Sequence, residues 1–387
     1  AMAMATATLA AARRRALRLR YFSSNPTTTG AVLDQSKVYD SVSTYYGKVL
    51  SSSKDLKTNA CTTSSRPSGT ILKVLDDVPN AIKERFYGCG TPLPSGIEGL
   101  DVLDLGSGSG QDCYVAASLV GEKGSVTGID MTDEQLEVAQ KYVPEFMDKL
   151  GYSEANLDFK KGYIEFIQEA GVKSESVDLI ISNCVINLSP NKELVLQGAY
   201  NALREGGELY FSDVYCDRRL PEDVRMNDVI LGECLGGALY IEDFKRICHK
   251  VGFTDPRQLS VDPIIVTDPE LSELCGNARF YSITYRCFKL SSLETLCEDY
   301  GQVAYYKGTL PEHPHSYALD DHHIFETNRP MLVCGNTASM VEETWLKSHF
   351  DVVGDRSVHY GLFDCGPSPP LTAGADASQA PAGGGCC

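Results

Sequence analysis

The chain has 387 residues with 52 acidic and 35 basic side chains, a net charge of −17, and 43% of its residues are apolar. That length allows two to three domains with a buried core. No apolar run reaches the roughly 18 residues a membrane-crossing helix needs, and a pI near 4.9 opposes a nucleic-acid partner, whose phosphates would be repelled.

Residues 1–37 open the chain with five arginines (Arg13, Arg14, Arg15, Arg18, Arg20) and no acid before residue 26. This reads as a flexible basic arm; its Arg, Ala and Ser content also suits an organelle transit peptide, the alternative to a cytoplasmic location. Residues 38–260 alternate short β-rich runs with helical patterns. Strands are expected at 101–106, 125–130, 177–186 and 208–215, and helices at 111–120, 133–151 and 192–207. Such alternation predicts an α/β, Rossmann-like doubly wound sheet with parallel strands and ligands at the C-terminal strand ends. VDPIIVTDPE (261–270) is the expected domain break, followed by a smaller α+β region over 261–365. Residues 366–387, rich in Gly, Ala and Pro and ending in Cys386 and Cys387, read as a disordered tail.

The loop DLGSGSG runs from Asp104 through Gly106, Gly108 and Gly110, between a strand and a helix. Its glycines permit a tight turn and close backbone approach to a ligand. Asp130 ends the next strand, where a carboxylate can bind both hydroxyls of a ribose. An acid at the start of the loop does not suit a pyrophosphate. It complements the positive sulfonium and amino group of S-adenosylmethionine. The pattern VLDLGSGSG with Asp130 resembles the nucleotide site of class I methyltransferases. That resemblance implies further cofactor contacts at Met131, Ile164, Glu165, Asn183 and Val185.

Fourteen cysteines exceed what packing requires. No paired C-x₂-C or C-x₂-C…H-x₃₋₅-H pattern is present, which speaks against a zinc finger. Separated thiols near a methyl donor select a soft, thiophilic centre, of which trivalent arsenic is one. Spacing alone does not separate Cys184 from Cys113 or Cys216. The motifs YYGKVL, DLKTNAC, RFYGCG, NLDFKKGYIEFI, ISNCVINLSPNK and LGECLGGALY resemble those of the arsenite S-adenosylmethionine methyltransferases along most of residues 38–290. The resemblance implies that Cys61, Cys89, Cys184 and Cys234 are the functional thiols, with As(III) held at Cys89, Cys184 and Cys234. Cys61 and Cys89 would form a disulfide when the product is reduced, and thioredoxin or glutathione would reopen it. It further implies trivalent arsenicals as thiol conjugates for substrate, S-adenosylhomocysteine as by-product, no resident metal, and a monomer. Ile241 departs from the tryptophan of many members.

Two other readings compete: a methyltransferase acting on a carbon or oxygen nucleophile, and a thiol-rich metalloid-binding protein without catalysis. The first needs a general base that the cysteine motifs do not offer. The intact acidic loop opposes the second. The histidines of PEHPHSYALDDHHIFE (His313, His315, His322, His323) read as a solvated loop, and Tyr45 and Tyr46 as either pocket or packing residues.

Overall fold

A computed structural model describes residues 38, 39, 42, 68–88 and 92–365. The expectations for residues 1–37, Tyr45, Tyr46, Cys61, Cys89 and 366–387 lie outside the described residues.

The central sheet has eight strands: β1 (Asp101–Leu105), β2 (Ser125–Asp130), β3 (Leu157–Lys161), β4 (Val177–Asn183), β5 (Leu203–Cys216), β6 (Leu239–Tyr240), β7 (Arg257–Ile264) and β8 (Phe280–Phe288). Their order is β3-β2-β1-β4-β5-β8-β7, with β6 added beside β5. The pairs within β1 to β6 are parallel. The chain leaves β1 toward β2 on one side, while β4 flanks β1 on the other. A crevice therefore opens at the C-terminal ends of β1 and β4, where doubly wound sheets bind ligands. The sheet is mixed rather than wholly parallel, because β8 runs antiparallel to both β5 and β7. One antiparallel strand near the edge is common in such sheets.

Two helices differ from their expected extents. The pattern over 133–151 folds as two helices, α1 (Asp133–Lys141) and α2 (Val143–Leu150). Pro144 lies in the first turn of the second and has no N–H with which to continue the first. The helix expected over 192–207 ends early, as α3 (Lys192–Ala202). The Gly206–Gly207 pair lies inside β5, where the register against β4 shifts; the backbone N–H of Gly206 donates to Lys289 O at 2.8 Å.

The expected break at 261–270 begins within β7, where Val261 pairs with Ile283, and the main sheet continues to Phe288. Beyond it a smaller lobe, which opens with the short strand β9 (Glu298–Asp299), sets β10 (Gln302–Tyr306) between β11 (Pro330–Val333) and β12 (Phe350–Val353). Its core gathers Leu290, Tyr306, Tyr317, Phe325 and Phe350. A buried ion pair joins lobe to sheet. Arg286 of β8 meets Glu208 of β5 through two bonds of 2.6 and 2.9 Å. It also donates to Tyr317 Oη at 2.6 Å, while Trp345 Nε1 donates to Glu208 at 3.1 Å. The histidine-rich loop is not wholly solvated, because Asp320 and His323 are buried and Arg257 donates to Asp320 at 2.8 Å. Ile241 packs in the main core with Phe244 and Tyr285.

Candidate active site

The glycine loop leaves β1 with Gly106, Gly108 and Gly110 at φ of +76°, +52° and +95°, a region that glycine enters at least cost. A Cβ on Gly106 would sit 2.3 Å from the Val185 side chain, so the loop abuts the segment after β4. Gly106 and Ser107 donate their N–H groups to Ile129 O at 2.8 and 2.9 Å. Gly108 N and Thr132 N donate to the two oxygens of Asp130 at 2.9 and 2.8 Å, which orients that carboxylate toward the crevice.

A cavity at these strand ends is lined by Asp104, Gly106, Gly108, Asp130, Met131, Ile164, Glu165, Asn183, Cys184 and Val185. Nine of the ten expected cofactor contacts are thus brought together. Gly110 is the exception and does not line the cavity. It caps the helix Gln111–Val120, and a Cβ there would lie 2.7 Å from the Phe159 ring, so its role is packing. The sequence reading missed Tyr39, Arg85, Phe86, Asp112, Thr132 and Ser189 along the wall. Asp112 alone carried a local signal, an acid in the first turn of the helix that the glycine loop opens.

The cavity is strongly acidic. Burial, then repulsion from Asp112, pushes the Asp104 carboxyl up to about 8. Asp112 rises to about 6 through burial, opposed by a 2.8 Å bond from Asn183 Nδ2. Burial also raises Asp130 and Glu165, against hydrogen bonds from backbone N–H groups and from Ser189 Oγ respectively. Among the described residues that line it, Arg85 is the one permanent cation, and it is exposed. Buried carboxyls with raised pKa values and little counter-charge suit a cationic ligand. Ser107 Oγ is a further buried group there without a hydrogen-bond partner.

Of the expected thiols, Cys184 stands on the same wall and Cys234 lies behind it. β4 ends at Asn183, and Cys184 follows with φ +57°, its N–H donating to Ser212 O at 2.9 Å. Cys234 follows the short helix Asp228–Gly232, which Asn227 caps, and it too is left-handed at φ +63°. Such conformations are uncommon for residues with a Cβ and persist where packing over-determines them. The Cys234 thiol donates to the Cys184 carbonyl at 3.3 Å, and both residues are buried. The approach depends on Gly237, where a Cβ would lie 1.9 Å from Asn187 O. Asn187 is anchored in turn, its N–H donating to Asp213 at 3.0 Å and its amide to Val214 O.

Cys184 is held in a disulfide whose partner lies outside the described residues. The disulfide that the resemblance implies between Cys61 and Cys89 during product reduction lies outside the described residues. Gly88, which precedes Cys89, packs against Asn183, where a Cβ would lie 2.6 Å from Nδ2. Cys113 and Cys216 do not line the cavity. The Cys113 thiol donates to Asp104 at 3.1 Å, and burial and Asp104 hold it well above the usual range. Burial likewise pushes Cys216 up to about 11. No described helix is long and apolar enough to cross a membrane.

A methyltransferase-domain profile matches residues 97–252. The arsenite methyltransferase of Aquipseudomonas alcaligenes is 49% identical over 351 residues, covering 90% of this chain and 100% of its own length. The human arsenite methyltransferase is 44% identical over 321 residues, 83% of this chain and 85% of its own. A crystal structure of an arsenic(III) S-adenosylmethionine methyltransferase from Chlamydomonas reinhardtii is 61% identical, with a TM-score of 0.75, covering 77% of this chain and 100% of that one. Shared identity of this extent, over a chain that sets two buried cysteines beside an acidic Rossmann-like crevice, makes it a member of the arsenite methyltransferase family.

Proposed function

We propose that the chain methylates trivalent arsenic with S-adenosylmethionine, holding As(III) on Cys184 and Cys234 with Cys89 as a third ligand. The observation that carries this reading is the contact between Cys184 and Cys234, two left-handed residues, one of which faces the acidic cavity. S-adenosylmethionine supplies the methyl group, which the arsenic lone pair takes up to leave S-adenosylhomocysteine.

The protein contributes position and electrostatics. Asp130, oriented by two backbone N–H groups, takes ribose hydroxyls. Asp104 and Asp112 balance positive charge in a buried cavity. Arsenic bound to thiolates has no proton to lose, so no general base is required. Holding the reactants in register and excluding water does the work that acid–base chemistry does elsewhere.

Cys184 must leave its disulfide before it can ligate arsenic, which ties activity to a thiol reductant. Methyl transfer takes arsenic formally to the pentavalent state. Two thiols restore the trivalent state by giving up two electrons and joining as a disulfide, a role that falls to Cys61 with Cys89. Thioredoxin or glutathione then reduces that disulfide, and the substrates enter as thiol conjugates. The same reading has a monomer acting in the cytoplasm.

The test is methylarsenical formation from arsenite with labelled S-adenosylmethionine and a thiol reductant. Cys184→Ser and Cys234→Ser should each lose at least a hundredfold in rate, and near-normal activity in both would remove the site assignment. Arsenite binding without any transfer of label would select the non-catalytic reading.

A further inference from the structure

We propose that Cys297, Cys334 and Cys365 form a second thiol site, which binds trivalent arsenic without methylating it. Their three Sγ atoms lie within 4.8 Å of one another. All three thiols are free, and tertiary structure alone assembles them. The pairing of β9 with β13 (Gly361–Leu362) brings the first and last together, with Phe363 N donating to Cys297 O at 2.8 Å. Cys334 caps the helix α4 that follows it (Gly335–Glu342), its sulfur accepting from Thr337 N at 3.4 Å. Arg356 ties the segments together by donating to Ser292 O at 2.7 Å and Gly335 O at 2.9 Å. Cys334 is fully buried, while Cys297 and Cys365 are half-buried, so the cluster has a fixed floor and an accessible side.

The surroundings prepare the sulfurs for a thiophilic ion. The Arg257 guanidinium stands 3.9 Å from the Cys334 sulfur, where its positive charge favours the thiolate. A thiolate is the form that attacks and ligates. On binding arsenite, three As–S bonds replace three As–O bonds. Each hydroxide leaves as water with the proton of the thiol that replaces it. No oxidation state changes, and the resulting complex is neutral.

Neutrality and ligand number distinguish trivalent arsenic from zinc. A structural zinc takes four ligands. Beside Cys334 stand the Arg257 guanidinium, which has no lone pair to give, and the Thr337 hydroxyl at 3.3 Å, while the His323 imidazole is engaged by Thr337 and Asp320 and is not part of the sulfur cluster. Three thiolates complete a trivalent pnictogen. None of the three cysteines lines the acidic cavity, whose wall is drawn from residues 39–189, so arsenic held here has no methyl donor beside it. The site stands on its own geometry; the choice of arsenic among thiophilic ions rests on the function proposed above.

The experiment uses the full reduced chain equilibrated with arsenite, with bound arsenic counted by mass spectrometry and its ligands read by X-ray absorption. A Cys184→Ser/Cys234→Ser chain should still bind one arsenic on three sulfurs. Adding Cys297→Ser, or separately Cys365→Ser, should weaken that binding at least tenfold. In the otherwise unaltered chain, either of these substitutions should leave the initial methylation rate within twofold. Undiminished binding in both triple variants overturns the proposal, as does zinc that occupies these thiols and is not displaced by arsenite. Methylation that survives Cys184→Ser/Cys234→Ser would instead refute the proposed active site, and would leave the arsenic count at the second site unaffected.

Discussion

Gly237→Ala tests whether the approach of two loops sets the reaction geometry. The new Cβ would stand 1.9 Å from Asn187 O, against the 3.4 Å at which ordinary contact begins. Relief requires a displacement of roughly 1.5 Å. Asn187 is held by Asp213 and Val214, so most of that movement falls on the segment carrying Cys234. A misplacement of about 1 Å can cost on the order of a hundredfold in rate. We therefore expect the methylation rate at saturating arsenite to fall by about that factor. Cofactor affinity should stay within twofold, because neither Gly237 nor Cys234 lines the cavity. The assay pairs initial rates of methylarsenical formation with calorimetric titration of S-adenosylmethionine. A variant with an unaltered rate would refute the argument, and so would one whose cofactor affinity falls in step with its rate.

Two further outcomes follow from the buried charges. Asp104 and Asp112 titrate near 8 and near 6 in the folded chain, above their ordinary carboxyl value of 3.8. Each therefore favours the folded state at low pH, and that contribution is lost progressively as pH rises from about 4 toward 8. A cationic ligand restores it by pairing with the ionised forms. The rise in melting temperature on adding S-adenosylmethionine should accordingly be larger at pH 8.5 than at pH 6, and equal shifts would dismiss these carboxylates as its counter-charges. Arg286→Ala leaves Glu208 charged and fully buried, which should cost about 3–5 kcal/mol in urea unfolding. A loss below about 1 kcal/mol would mean that water or another cation replaces the guanidinium.

Much of the cofactor half could be read along the chain because its signals are local. Gly106, Gly108 and Asp130 lie on consecutive elements, and a strand, turn and helix of the expected lengths leave them little choice of place. Asp112 went unnoticed because an acid in a first helical turn is ordinary, and only its burial beside Asp104 makes it part of the cavity. Gly110 belonged to the same motif, yet its φ of +95° and the nearby Phe159 ring give it a packing role. Pro144 was visible in the sequence, and its missing N–H divided a helix that apolar periodicity alone would have kept whole.

The thiols divide along the same line. Motif resemblance, not composition, singles out Cys184 and Cys234 together with Cys61 and Cys89, while composition and pattern establish the doubly wound class, the acidic loop and the excess of cysteine. They do not say that Cys184 and Cys234 both take left-handed backbone, or that the Cys234 thiol meets the Cys184 carbonyl at 3.3 Å. Nor do they reveal that Cys297, Cys334 and Cys365 converge, since these come from a strand edge, a helix cap and a chain segment beyond the last strand. Glycine loops and helix periods are encoded within a few residues, where backbone sterics act. Contacts between residues 50 apart, such as Cys184 and Cys234, exist only once strand order and core packing have placed their segments side by side.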